Sequence, residues 1–224
     1  RILAASHSDG RIRLLNPDTL KENGNAPYAL GGDFALSADG TFFAGFNGSG
    51  FLTVFETATE LPKVELPPDK PFAFHPDGKS IAAADKAGKV TRYMLAGGKP
   101  LATFDHGAAV TGLAFSPGGK WLATGDGKVV KVWDLAAEKG TKPVAVIPNG
   151  GRPRAWVDDD RLAAGDGFTA GLFDLKTKQW AARVKGVTGA WAVSPDGTRL
   201  AATGTGLRVR IWDLTTGEQL HAEN

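Results

Sequence analysis

The residues with the types to do chemistry are four histidines, a run of three aspartates and two arginines on one loop. His7, His75, His106 and His221 could share a metal or move protons, provided they converge. Asp158, Asp159 and Asp160 could offer carboxylate oxygens to a hard cation such as Ca²⁺. Arg152 and Arg154 lie on residues 148–154 (Pro-Asn-Gly-Gly-Arg-Pro-Arg), a turn-forming stretch suited to holding an acidic segment. Gly165-Asp-Gly167 and Gly204-Thr-Gly206 have the composition of phosphate-binding loops. Basic side chains alternate at Arg11/Arg13 and Arg208/Arg210, with Lys89 in a similar place, as a nucleic-acid surface would require. Six tryptophans could build a ligand box. No EF-hand loop, P-loop or Gly-x-Ser-x-Gly motif is present.

Composition narrows the field. The chain has 224 residues with 26 basic and 24 acidic side chains, so it is no polyanion binder by charge alone. Residues 1–112 carry 11 basic and 12 acidic groups, and residues 113–224 carry 15 and 12, so neither half is a polyanion binder by charge alone. No cysteine is present, which removes disulfides, thiolate metal sites and a cysteine nucleophile and leaves the compartment undetermined. Thirty glycines and 13 prolines demand many turns and little helix. No apolar run reaches the roughly 18 residues of a membrane helix, so no membrane insertion is expected. The sequence opens on Arg1, and is expected to be a segment of something longer.

What positions these residues is a repeat. One phrase occurs as Phe34-Ala-Leu-Ser-Ala-Asp-Gly40, Phe72-Ala-Phe-His-Pro-Asp-Gly78, Leu113-Ala-Phe-Ser-Pro-Gly-Gly119 and Trp191-Ala-Val-Ser-Pro-Asp-Gly197. Trp156-Val157 before the three aspartates is a shortened copy. An apolar residue and a run of small ones follow each copy, as in Ile81-Ala-Ala-Ala and Leu122-Ala-Thr-Gly. A bulky residue then closes an alternating stretch at Leu15, Phe55, Tyr93, Trp133, Phe173 and Trp212, spaced by 40, 38, 40, 40 and 39. Val130 and Val132 flanking Lys131, or Val209 and Ile211 flanking Arg210, have the period of a strand. Three turns per period join four short strands, labelled a to d, in an antiparallel meander of about 40 residues.

The pattern resembles the WD-repeat β-propeller family. Trp133-Asp134 and Trp212-Asp213 match the dipeptide that names it, and Phe173-Asp174 and Phe55-Glu56 are softened forms. Asp105-His106-Gly107 stands where the family carries Gly-His. The resemblance covers essentially the whole chain and implies an all-β fold of four-stranded antiparallel blades. About six blades are expected, the first lacking its inner strand, giving 23 strands in units of about 1–28, 29–69, 70–109, 110–153, 154–187 and 188–224 of a single propeller domain. Seven periods would need roughly 280 residues, so the chain is expected to be part of a seven-bladed ring, the alternative being a six-bladed ring with an incomplete first blade. Incomplete blade edges could drive association. The resemblance also implies a structural hydrogen-bonded set of His106, Thr124, Asp126 and Trp133. Here the strand b to strand c turn is short: Leu122 to Trp133 is 11 steps, against 12 from Leu200 to Trp212. Every other unit lacks at least two of the four residues.

Placed on this frame, the reactive groups disperse. The four histidines fall in a b–c turn, an a–b turn, a d–a loop and an outer strand, so no metal site and no cofactor is expected. His75 replaces the serine of its turn. The aspartate run is a shortened, solvated a–b turn, and the Gly-x-Gly segments are hairpins flanked by strands. The alternating cations are stems packed between blades with charged tips in water, so no nucleic acid is expected. Trp133, Trp212, Trp191 and Trp156 belong to the core, while Trp121 and Trp180 are less constrained.

The expected function is therefore a non-enzymatic scaffold binding a protein or peptide partner, with an acidic segment the natural guess. The binding surface is the "top" end of the blades, made of b–c turns and d–a loops, where variable loops sit on a rigid frame. Its candidate residues are His7, Asn47, Lys86, His106, Arg152, Arg154, Asp166, Phe168 and Leu207. The alternative is a sensory or scaffolding part of a multidomain enzyme or electron carrier with catalysis elsewhere, since the Ala- and Gly-rich composition resembles bacterial WD-repeat proteins. A propeller that is itself an enzyme is a third possibility.

Overall fold

The computed structural model describes residues 3–6, 12–16, 18–19, 21–25, 33–137, 142–187, 189–203 and 209–222. Among them are 23 strands and no helix, so none is long and apolar enough to cross a membrane. The chain divides into two compact units, Arg1–Thr103 and Phe104–Asn224.

The first unit opens with a three-stranded sheet, β1 (Leu3–Ser6), β2 (Ile12–Leu15) and β3 (Glu22–Asn25). A four-stranded sheet follows, β4 (Phe34–Leu36), β5 (Phe42–Phe46), β6 (Leu52–Glu56) and β7 (Pro62–Leu66). The next sheet is β8 (Phe72–Phe74), β9 (Ser80–Ala84), β10 (Lys89–Met94) and β11 (Pro100–Asp105), whose last strand ends just past the unit's limit. The second unit has three more sheets of four. They are β12 (Gly112–Phe115), β13 (Trp121–Gly125), β14 (Val129–Asp134) and β15 (Ala145–Pro148); β16 (Arg152–Trp156), β17 (Arg161–Gly165), β18 (Thr169–Asp174) and β19 (Gln179–Lys185); and β20 (Trp191–Val193), β21 (Arg199–Thr203), β22 (Val209–Asp213) and β23 (Gln219–Ala222). Strands pair in chain order within every sheet. Within each unit the first strand of one four-stranded sheet packs on that of the next: β4 on β8, β12 on β16, and β16 on β20.

The register shows why the repeat has its period. The apolar residue opening strand b lies opposite the bulky residue of strand c in all six sheets: Leu3 with Leu15, Phe43 with Phe55, Ile81 with Tyr93, Leu122 with Trp133, Leu162 with Phe173 and Leu200 with Trp212. One pair is thus reproduced every 40 residues or so, and the small residues beside it let neighbouring sheets approach. Ala82, Ala83, Ala123, Ala163 and Ala164 have no solvent exposure. In four sheets strand d bulges beside the bulky residue. In β7, Val64 pairs with Val54 and Pro62 with Phe55, leaving Lys63 as the extra residue.

The a–b turns follow from their composition. Gly40, Gly78, Gly119 and Gly197 donate their amides to Ser37, His75, Ser116 and Ser194 carbonyls at 2.8–3.0 Å. All four glycines have φ between 66° and 75°, where a side chain is disfavoured. The Ser37 hydroxyl donates to Asp39 at 2.6 Å and that of Ser194 to Asp196 at 2.5 Å. These hydroxyls, aided by the Thr41 hydroxyl and amide and by the Thr198 amide and hydroxyl, lower both carboxyls from 3.8 to about 2. A carboxylate held below its unfolded value stabilises the fold above that value, and the contribution disappears as pH falls through the folded one. The urea midpoint is therefore expected to fall between about pH 4 and pH 2. An Asp39→Asn, Asp196→Asn double variant should show a shallower fall, and an unchanged slope would refute the assignment.

Candidate functional site

At the end of the second unit's sheets where b–c turns and d–a loops meet, two connections are clamped together. After β15 the chain turns through Asn149 (φ 54°) and Gly151 (φ 66°). The Gly151 amide donates to the Lys128 carbonyl at 3.3 Å, and the Gly127 amide donates to the Gly151 carbonyl at 3.1 Å. β16 then starts at Arg152, two residues before the boundary expected at 154, because Gly150 and Gly151 already complete the turn. Pro153 pairs with Ala164 and Ala155 with Ala163, so Arg154 is the extra residue of a bulge. Bulges re-aim side chains. Arg152 and Arg154 are exposed, whereas Pro153 between them is buried.

Both arginines line a cavity of about 340 Å³ with Asp166 and Trp191, edged by glycines 127, 165, 167 and 189. The Arg154 guanidinium lies over the Trp191 ring, 5.7 Å from its centroid. Trp191 is only part-buried, which corrects its expected place in the core: one side packs on the cluster around Trp212, and it also borders the cavity. Asp166 accepts the amides of Phe168 and Thr169 at 2.9 and 2.8 Å. Burial raises its carboxyl, but the Thr169 and Phe168 amides, the Thr169 hydroxyl and Arg183 outweigh that and hold it below the usual carboxylate range. Arg183 lies 3.7 Å from Asp166 and donates to the Asn149 carbonyl at 2.7 Å, tying the two loops together. Asp166 is thus compensated by Arg183, and among the described residues Arg152 and Arg154 have no carboxylate partner. Phe168 projects from the same turn, 75% exposed, while its carbonyl accepts the amides of Gly186 and Val187 at 2.9 and 3.2 Å.

The other candidates fare differently. Asn47 and Lys86 lie in the first unit. The Asn47 side chain accepts the Ser49 and Phe51 amides, both at 3.0 Å, and donates to Glu65 at 2.7 Å, so it holds its own turn. Lys86 is exposed on the β9–β10 turn. His7 and Leu207 lie outside the described residues. His106 is 3% exposed, which removes it from any contact surface. Its Nδ1 is 2.7 Å from Thr124 Oγ1, which accepts the Trp133 indole N–H at 2.9 Å. The indole only donates, and the hydroxyl oxygen can accept a second donor or give its own proton, so the contact fits a neutral ring with its proton on Nδ1 or on Nε2. Nε2 is 3.8 Å from Asp126 and has no hydrogen-bond partner among the described residues. Asp126 instead accepts the Lys128 and Val129 amides at 2.7 Å each, which the short turn brings under it. Burial lowers His106, Asp126 raises it and Lys131 lowers it; the net lowering favours the neutral ring.

The aspartate run points in three directions. Asp158 pairs with Arg161 at 2.8 Å, Asp159 accepts the Gly118 amide at 2.9 Å and Asp160 pairs with Lys176 at 2.6 Å. No group that could hold a metal occurs among the described residues. His75 Nδ1 lies 2.8 Å from Asp77 Oδ1 within its own turn.

Comparison with known proteins agrees with this architecture. The family described as WD domain, G-beta repeat matches residues 98–134 and 181–213. The small ribosomal subunit protein RACK1 of Drosophila melanogaster is 32% identical over 114 residues, 47% of this chain and 34% of that protein. RACK1 of Glycine max is 36% identical over 66 residues, 30% of this chain and 20% of that protein. The chain thus spans about a third or less of these relatives. A chain in the crystal structure of the mitotic checkpoint complex superposes with a TM-score of 0.80 at 17% identity, over 99% of this chain and 74% of that one. This protein therefore carries WD repeats on a β-propeller fold, its sheets being the blades. Both sequence relatives are eukaryotic and lend nothing to the bacterial affinity suggested by composition.

Proposed function

We propose that the protein is a non-enzymatic interaction scaffold that holds an acidic peptide segment of a partner at the Arg152–Arg154 cavity. The observation that carries this reading is two exposed arginines without a carboxylate partner among the described residues, gathered beside Trp191 on a clamped loop. Arginine and exposed aromatic residues supply most of the binding energy in typical interfaces, and Phe168 beside the cavity is an apolar anchor for the same segment. The relatives named for the ribosomal subunit and the checkpoint complex are parts of assemblies, which supports a scaffold. The described carboxylates at this site are spent on turn amides and Arg183, which favours binding over catalysis.

An Arg152→Glu, Arg154→Glu double variant should bind a fluorescein-labelled Asp/Glu-rich peptide at least about tenfold more weakly than the parent. Anisotropy at two salt concentrations measures this, and the parent's binding should weaken with salt. Equal affinity of the two proteins would refute the placement.

A further inference from the structure

A second cavity, of about 460 Å³, lies wholly in the first unit, between the sheet β4–β7 and the sheet that follows. Its volume is within the roughly 300–1,000 Å³ of ligand sites. Phe42 and Leu95 belong to the apolar wall, and Met94 and Leu101 join it, each 37% exposed. Lys63, Lys79 and Arg92 supply positive charge. Asp77, the carboxylate of the lining, is already engaged: His75 Nδ1 is 2.8 Å from it, the Lys79 amide donates to it at 2.8 Å, and Arg92 is 3.8 Å away. Arg92 also donates to Ser80 at 2.8 Å. Lys63 and Lys79 are exposed and have no carboxylate partner among the described residues. Lys63 is the extra residue of the β7 bulge, and the bulge re-aims its side chain.

The repeat supplies an internal control. The equivalent groove of the second unit, about 320 Å³, has Trp121 in the place of Phe42 and Leu175 in that of Leu95. There two of the three lysines are occupied: Lys176 pairs with Asp160 at 2.6 Å, and Lys120 lies over Trp121, 4.2 Å from the ring centroid, while Lys178 is exposed without a carboxylate partner among the described residues. In the first unit Lys63 and Lys79 lack a carboxylate partner among the described residues, and Met94 and Leu101 are partly exposed.

We infer that this groove is a second docking site, taking a short peptide segment in which bulky apolar residues are flanked by carboxylates. The apolar side chains cover Met94 and Leu101 and the carboxylates meet Lys63 and Lys79. This site is separate from the arginine cavity and does not depend on it.

Met94 is the only methionine of the chain, so its methyl group gives a single NMR signal inside the groove. The intact protein, labelled with ¹³C at the methionine methyl, is titrated with acetyl-Glu-Glu-Leu-Phe-Glu-Glu-amide. Two control peptides replace either the glutamates by lysine or the Leu-Phe pair by Ser-Ser. The Met94 signal should shift saturably with the first peptide alone. A Lys63→Glu, Lys79→Glu variant, checked for an unchanged circular dichroism spectrum, should bind at least about tenfold more weakly. The Arg152→Glu, Arg154→Glu variant should titrate like the parent. The proposal is overturned if the acidic peptide leaves Met94 unmoved at millimolar concentration, if either control peptide shifts it equally, or if the lysine variant binds as well as the parent.

Discussion

Trp133→Ala is expected to cost about 3–5 kcal/mol of stability, the range for removing a buried large aromatic side chain. The ring is 2% exposed, faces Leu122 across the strand pair and lies 5.6 Å from Phe104. Two separate losses add here. One is the apolar contact with its cluster. The other is the indole donor to Thr124, a hydroxyl with no solvent exposure that also contacts His106. Trp133→Phe separates them, keeping most of the packing and removing the donor, at a cost of about 1–3 kcal/mol. Urea denaturation of both variants measures the difference. If Trp133→Phe cost as much as Trp133→Ala, the packing assignment would fail; if it cost nothing, the hydrogen bond would contribute nothing.

The blade pattern was legible because its cause is local and repeated. The turn phrase needs glycine where φ is positive, and the bulky residue needs an apolar partner one hairpin away, so both leave marks at every period. The short turn before Trp133 was legible too. Leu122 and Trp133 keep the register shared by all the sheets, and the missing residue is absorbed by Asp126 capping two amides instead of reaching His106.

The site was legible only in part. Residues 148–154 stood out because two arginines on a Gly-Pro turn are unusual. Trp191 did not, because its place in the repeat is held elsewhere by Phe34, Phe72 and Leu113, all part-buried as well. Its access to the cavity comes from the neighbouring β16 bulge, and a bulge leaves no pattern in the chain beyond one residue of extra length. The grooves between sheets were missed for a related reason. Phe42, Met94 and Leu101 come from different strands, and nothing in the repeat says that Lys63 lies unpaired in a bulge. The sign available was the exchange of Asp160 and Lys176 for Lys79 and Ala96 at equivalent positions, which removes the carboxylate and leaves a lysine in its place.

Gly151→Ala is expected to be the most damaging single methyl addition at the arginine loop. Gly151 has φ 66°, which costs a side-chain-bearing residue about 1–2 kcal/mol. A Cβ there would also overlap the carbonyl of Gly165, main chain that cannot rotate away. Forcing the two loops apart adds about 1–3 kcal/mol, so the whole penalty is about 2–5 kcal/mol. Gly167→Ala supplies the contrast on the neighbouring turn: φ is 95°, but nothing lies within 4 Å of its Cβ. It should cost only the backbone term, about 1–2 kcal/mol. The variants should differ in binding as well, because Gly151 joins the Lys128 turn to the strand carrying Arg152 and Arg154. Denaturation and acidic-peptide anisotropy on both proteins test the pair. Gly151→Ala should lose stability and affinity together, while Gly167→Ala should keep most of its affinity. If the two were equally stable, the close approach to Gly165 would have no energetic weight. If Gly151→Ala folded normally and bound the peptide undiminished, the clamp between the loops would not be what positions the arginines.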